Sequence, residues 1–142
     1  MTRITLDQAN RIIAATFAKG GELGLKPLSV AVLDPGGHLI AFQRQDASSI
    51  LRPQIAMGKA GGALALGVSS RAIGEMAAER PSFIAALGPI APLGVVPAAG
   101  GVIVRNATGN ILGAVGVTGD TSDNDEACAL AGIAAAGLSP TG

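Results

Sequence analysis

Apolar and polar residues follow two distinct periods along this chain, and the switches between them mark its elements. Thr5 to Gly21 carries apolar positions at Leu6, Ala9, Ile12, Ile13 and Phe17, a spacing of three and four that places them on one helical face. Thr5 stands three residues before Gln8 as in a capping box, and Gly20 and Gly21 supply the stop. Leu28 to Asp34 and Leu39 to Arg44 are β-type runs on either side of Pro35-Gly36-Gly37-His38. That pattern predicts a hairpin in which Gly36 and Gly37 take the positive-φ positions.

Pro53 suits a first helical turn, Gln54 to Leu66 continues it, and Gly67 ends it. Gly58, Gly61 and Gly62 lie on one face of that helix. Each lowers helix propensity by about 1 kcal/mol, which is understandable where another backbone packs closely, so the helix should be buried or interfacial. Ser69 begins another short helix and Pro81 a further turn through Leu87, while residues 88–97, with Pro89, Pro92 and Pro97, read as a surface loop or lid. Val102 to Arg105 and Ile111 to Val117 form a second hairpin around Asn106 to Asn110. Ser122 to Gly137 is the last helix, with Asp123, Asp125 and Glu126 at its start, where the macrodipole favours them. Two sequential hairpins imply an antiparallel sheet with helices packed on it, an α+β fold, and residues 1–142 are the size of one domain.

Composition narrows the partners. Lys and Arg number 10 against 10 Asp and Glu, and only 14% of residues are charged, so there is no electrostatic footprint for nucleic acid or an acidic membrane surface. Three Phe without Trp or Tyr leave little for a base-stacking platform. A weakly charged, Gly- and Ala-rich chain exposes small apolar surface, which points to a homo-oligomer, a dimer or larger. The single cysteine, Cys128, excludes an internal disulfide, and the first ten residues lack the apolar run of a signal peptide. A cytoplasmic protein is therefore expected, although a secreted form with its signal already removed would read the same way.

Six landmarks occur in order: Asp34-x-Gly-Gly-His38, Ile55-Ala-x-Gly-Lys59-Ala60, Gly67 to Arg71, Gly100-Gly101, Gly113-Ala-Val-Gly-Val-Thr-Gly119 and Asp125-x-x-Cys128-x-x-Ala131-Gly132. As a set they resemble the GlcG/HbpS-like family, the haem-binding or DUF336 group, over about Leu6 to Leu138. The resemblance implies a profilin-like sandwich and dimers that assemble further, up to an octamer. It also implies a small ligand, haem or another tetrapyrrole for some members. Members include an extracellular haem-binding sensor protein, the protein encoded beside glycolate oxidation genes, and the C-terminal domain of a corrinoid adenosyltransferase.

Candidate chemistry concentrates at a few side chains. His38 is the only histidine; it is either an axial ligand to haem iron or a turn residue bonded to backbone, with Met57 or Met76 as other axial donors. Lys59 is a lone ammonium in an apolar stretch and must reach water, a carboxylate or an anionic ligand. Arg52 lies two turns away on nearly the same face, so both cations can converge on a haem propionate or a small organic acid. The alternative for Lys59 is an ion pair with Asp125, Glu126 or Asp34. Gly100 and Gly101, with Gly113, Gly116 and Gly119, mark places where a ligand, a second chain or a packed helix approaches bare backbone. Because the last three lie within a strand, they are no dinucleotide fingerprint. Thr118 to Glu126 leads into the last helix, where free N–H groups can cradle an anion or the carboxylates can hold a cation, the alternative being ordinary N-capping by Ser122 or Asp123.

Glu75 and Glu79 are either iron-chelating carboxylates or, with Arg71, a salt-bridge ladder. Ser48, Ser49, Ser69, Ser70 and Ser82 lack a nucleophile elbow, and Cys128 reads as a small buried hydrophobe. Ligand contacts are therefore expected from Lys59, Arg52, His38, Gly100, Gly101, Thr118 and Asp125, and metal ligation from His38. Besides ligand binding, two other functions fit: an enzyme acting on a small hydroxy or keto acid, and an assembly module with no ligand of its own.

Overall fold

The computed structural model describes residues 2–141. The elements run α1 (Leu6–Glu22), β1 (Ser29–Leu33), β2 (Leu39–Arg44), α2 (Arg52–Leu66), α3 (Ser70–Glu79), α4 (Pro81–Leu87), β3 (Gly101–Arg105), β4 (Ile111–Thr118), α5 (Ser122–Ala135) and β5 (Ser139–Thr141). The strands form one antiparallel sheet in the order β2-β1-β4-β3-β5. This is the α+β architecture that the two hairpins imply.

Local signals set most boundaries. The Thr5 hydroxyl accepts from the Gln8 amide at 3.1 Å while Gln8 Oε1 accepts from the Thr5 amide at 2.9 Å, closing the capping box. α2 starts with proline in its first turn and ends at Gly67, which is left-handed with φ 75°. At the first hairpin only Gly37 takes a positive φ, 83°. Gly36 does not, because the Asp34 carboxylate accepts from the Gly36 and His38 amides and shapes the turn as an Asx turn. α5 is capped by Thr121, whose hydroxyl accepts from the Asn124 amide at 3.3 Å, and not by Ser122 or Asp123. β5 has no counterpart in the sequence pattern: Ser139-Pro140-Thr141 lacks apolar alternation, and its proline is tolerated because the strand lies at the sheet edge.

The two sheet faces differ in side-chain size, and that difference places the helices. Val30, Val32, Val102, Val104, Val115 and Val117 point to one side, where α1 and α5 bury Ile12, Ile13, Cys128 and Ile133 against them. Complete burial of such a branched side chain stabilises by about 1.5–3 kcal/mol. The opposite face carries Ala31, Gly101, Ala114 and Gly116, so α2 lies directly on the sheet through Ala56 and Ala60. A Cβ at Gly116 would collide with the Ala56 carbonyl, and one at Gly101 with the Lys59 carbonyl.

Gly113 has φ 150° at a register shift between β3 and β4, which brings Leu112 and Val115 into the same core despite their odd separation. On the outer side of α2, Gly58, Gly61 and Gly62 receive Leu93, Gly94, Val95 and Val96 of the proline-rich loop. The three glycines thus accommodate the chain's own loop.

Candidate functional site

Packing α2 on small residues carries Lys59 into the interior, where it is 3% exposed. Its Nζ donates to the Val117 carbonyl at 3.0 Å and to Asp125 Oδ2 at 3.2 Å. Asp125, also buried, uses Oδ1 to accept from the Asp120 amide at 2.9 Å. Burial pushes the Lys59 ammonium below its usual range; Asp125 pulls it back up, and nearby Arg52 lowers it further. Of the two outcomes open for Lys59, the structure provides the ion pair, and the partner is Asp125. Gly100 and Gly101 are buried beneath it, since a Cβ on Gly100 would lie 2.8 Å from Lys59 Nζ. This pair therefore works as a strut joining α2, β4 and the 119–121 segment ahead of α5.

Arg52 has a different internal partner from Lys59. It is half-buried at the start of α2, and its Nη1 donates to Thr118 Oγ1 at 2.7 Å. Thr118 is itself buried and lies opposite Ser29 in the β1–β4 register. The Ser29 hydroxyl is buried with no hydrogen-bond partner among the described residues. Beside Arg52 opens a cleft of 270 Å³ lined by Lys26, Arg52, Gly119, Asp120 and Thr121. The Asp120 carboxyl is held down at about 2 by Asn124 first, then by the Thr121 and Lys26 amides. Sequence patterns missed Lys26, while Asp120 and Thr121 fall within the 118–126 run that the sequence marks as a place for an anion or a cation.

His38 lies elsewhere, on the β1–β2 turn, with its side chain 82% exposed. Its Nδ1 is 3.3 Å from Asp34 Oδ1, the same oxygen that accepts from its own amide. Burial raises the Asp34 carboxyl, but the His38 and Gly36 amides and the imidazole outweigh it and leave the group lowered. With Nδ1 facing a carboxylate, Nε2 is the nitrogen left to take a ligand. The turn borders a second, mostly apolar cleft of 200 Å³, formed by Gly36, Gly37, Gly61, Leu64, Pro92, Leu93 and their neighbours. Asp34 as the partner of His38 was legible in principle, from an acid four residues before a histidine across Pro-Gly-Gly.

The remaining candidates find structural roles or stay apart. Arg71 pairs with Glu126 at 3.1 Å and with Asp123, both on α5, which replaces the expected Arg71–Glu75–Glu79 ladder. A guanidinium reaching two carboxylates across the α3–α5 gap outcompetes a helical neighbour that water solvates equally well. Among the described residues no group of three or more His, Cys, Asp or Glu could hold a metal ion. Ser70 Oγ accepts from the Gly101 amide at 2.6 Å, and Cys128 is buried, with its thiol pushed up by that burial. No helix among the described residues is long and apolar enough to cross a membrane.

The model for a family described as "Haem degrading protein HbpS-like" matches residues 4–134. The chain belongs to the HbpS-like family. No curated protein matches it. Among solved structures, this HbpS-like chain is similar to Klebsiella pneumoniae protein ORFY, a DUF336 protein, at 26% identity and TM-score 0.85, covering 96% of this chain and 92% of the other. It is similar to a double mutant of Streptomyces reticuli HbpS at 26% identity and TM-score 0.79, covering 94% and 87% of the two chains. PduOC, solved as a haem complex, shares the fold at 18% identity and TM-score 0.86, with 99% of each chain covered.

Proposed function

We propose that this HbpS-like protein binds haem or a related tetrapyrrole, with His38 as an axial ligand through Nε2. One observation carries the reading: an exposed imidazole whose Nδ1 faces the Asp34 carboxylate sits on the turn whose Pro35, Gly36 and Gly37 line an apolar cleft. A carboxylate behind a histidine fixes the ring and raises the basicity of the opposite nitrogen, the arrangement that favours metal ligation. Family membership and the haem complex of PduOC support the choice of ligand. A bound haem would supply iron with an open coordination position; the chain supplies the donor and an apolar surface of Gly36, Gly37, Leu64 and Leu93.

The size of the cleft defines what one chain provides. A cleft of 200 Å³ is smaller than the roughly 300–1,000 Å³ of sites that enclose drug-sized ligands, so it can receive an edge of the macrocycle and not the whole. The proposal therefore includes a homo-oligomer in which a second copy covers the rest. Ile90, 76% exposed in the same loop that brings Pro92 and Leu93 to the cleft, supports such assembly. Light scattering that finds only single chains at micromolar concentration, with and without haemin, removes that part.

Haemin titration tests the ligand itself. A saturable Soret shift is expected, abolished in His38→Ala and weakened about 10-fold or more in Asp34→Asn, the usual cost of losing an outer-shell partner. An unchanged Soret spectrum in His38→Ala would overturn the assignment of the axial ligand, and no shift in the wild-type protein would overturn the ligand.

A further inference from the structure

The far end of α2 carries a second, chemically different cleft. Arg52 and Leu64 are twelve positions apart on one helix, about 18 Å at 1.5 Å per residue, so the Arg52 cleft and the apolar cleft at the His38 turn are separate places. Arg52 is half-buried and spends one N–H on Thr118, and no carboxylate among the described residues pairs with it. A guanidinium carries five donors in a planar fork, so the remaining ones face the cleft or solvent without a counter-ion.

The carboxylate that shares the cleft is engaged by other donors and does not pair with Arg52. Asp120 Oδ2 accepts from the Lys26 amide at 3.0 Å, and Oδ1 accepts from the Thr121 amide at 2.9 Å and from Asn124 Nδ2 at 2.8 Å. Charges lining the cleft are Lys26 and Arg52 against Asp120, a surplus of one positive charge. Just behind, Lys59 and Asp125 cancel. The Lys59–Asp125 strut also holds the Asp120 amide, so the wall is fixed before any ligand arrives.

We infer that this cleft binds a small monocarboxylate, its carboxylate forked onto Arg52 and its charge balanced with Lys26. The volume of 270 Å³ equals that of roughly nine bulk waters at about 30 Å³ each, which suits an acid of a few heavy atoms. Thr121 lines the cleft and its hydroxyl can still donate, so an acid with a polar substituent next to its carboxylate would find a partner. The inference stands independently of haem binding at His38.

Propionate is the probe, followed by amide and Arg Nε resonances of the full-length protein at constant ionic strength. Saturable shifts are expected at Gly119, Asp120, Thr121 and the Arg52 side chain. Arg52→Gln should weaken them about 10-fold or more, and Arg52→Lys, which keeps the charge but loses the fork, should also weaken them. If Arg52→Gln fails to fold, Arg52→Lys carries the comparison. His38→Ala should leave propionate binding intact, and Arg52→Gln should leave the haemin affinity intact. Equal shifts with chloride, or shifts unchanged in both Arg52 variants, would overturn the inference. A parallel loss of haemin affinity in Arg52→Gln would overturn it too, by making the carboxylate a tetrapyrrole propionate.

Discussion

Lys59→Met is expected to destabilise the protein by about 3–5 kcal/mol, because it leaves the Asp125 carboxylate and the Val117 carbonyl buried without the donor that Nζ supplies whether charged or neutral. The loss should appear in urea denaturation as a lower midpoint with an unchanged slope. Adding Asp125→Asn should recover most of it: the amide is neutral, yet its oxygen can still accept from the Asp120 N–H that Asp125 Oδ1 holds. A double variant as unstable as the single one would show that shape, not charge, governs the site. Alkaline pH provides a second readout. Burial lowers the folded-state pKa of Lys59 below its ordinary value of 10.5, so folding disfavours the ammonium wherever both states are protonated. That penalty lifts as pH rises from the folded value to 10.5, and the wild-type protein gains stability over that interval. Lys59→Met should lack this gain; identical pH slopes would contradict the assignment.

Gly116→Ala is expected to cost at least about 3 kcal/mol, at or beyond the upper end of ordinary overpacking. The new methyl would meet the Ala56 carbonyl and the Ala60 amide, which belong to a helix backbone and cannot rotate away. Relief requires α2 to lift from the sheet, and Lys59, Arg52 and Gly61 move with it. Both clefts should therefore open, so thermal stability, haemin binding and propionate binding fall together. Gly21→Ala is the control: nothing lies within 4 Å of its added methyl, so stability should hold or rise slightly as helix propensity improves. A Gly116→Ala protein with wild-type stability would mean that α2 does not rest on the sheet backbone.

Local chemistry is largely legible in the order of residues. The α1 capping box, the proline and glycine that bracket α2, and the two hairpins arise from residues within a few positions of one another. Their energetics depend on backbone dihedrals and neighbouring side chains, which the chain order specifies directly. The landmark residues are likewise enough to recognise the family. Failures fall where the deciding partner is remote. Thr118 lies 66 residues from Arg52 and Glu126 lies 55 from Arg71, whereas Asp125, 66 residues from Lys59, is one of three partners the sequence leaves open for it. For Arg52 and Arg71 a nearby alternative looks adequate by spacing alone.

The candidate site shows the same division. A lysine in an apolar stretch correctly signals a buried charge needing a partner, but not whether that partner is internal or a ligand. His38 and Arg52 are both recognisable as chemistry-bearing residues, and their separation to opposite ends of α2 is not. Lys26 carries no spacing signal because it meets Asp120 and Thr121 only where the α1–β1 loop passes the start of α5.

Residue order was sufficient for the helices, the four strands of the two hairpins, their pairing and the family, since these follow from periodicity and short-range hydrogen bonding; the edge strand β5 was not among them. Which cation is neutralised inside and which is left facing a cleft emerged only on folding. Small residues on one sheet face let α2 settle against it, and that contact delivers Lys59 to Asp125 and leaves Arg52 without a carboxylate partner among the described residues.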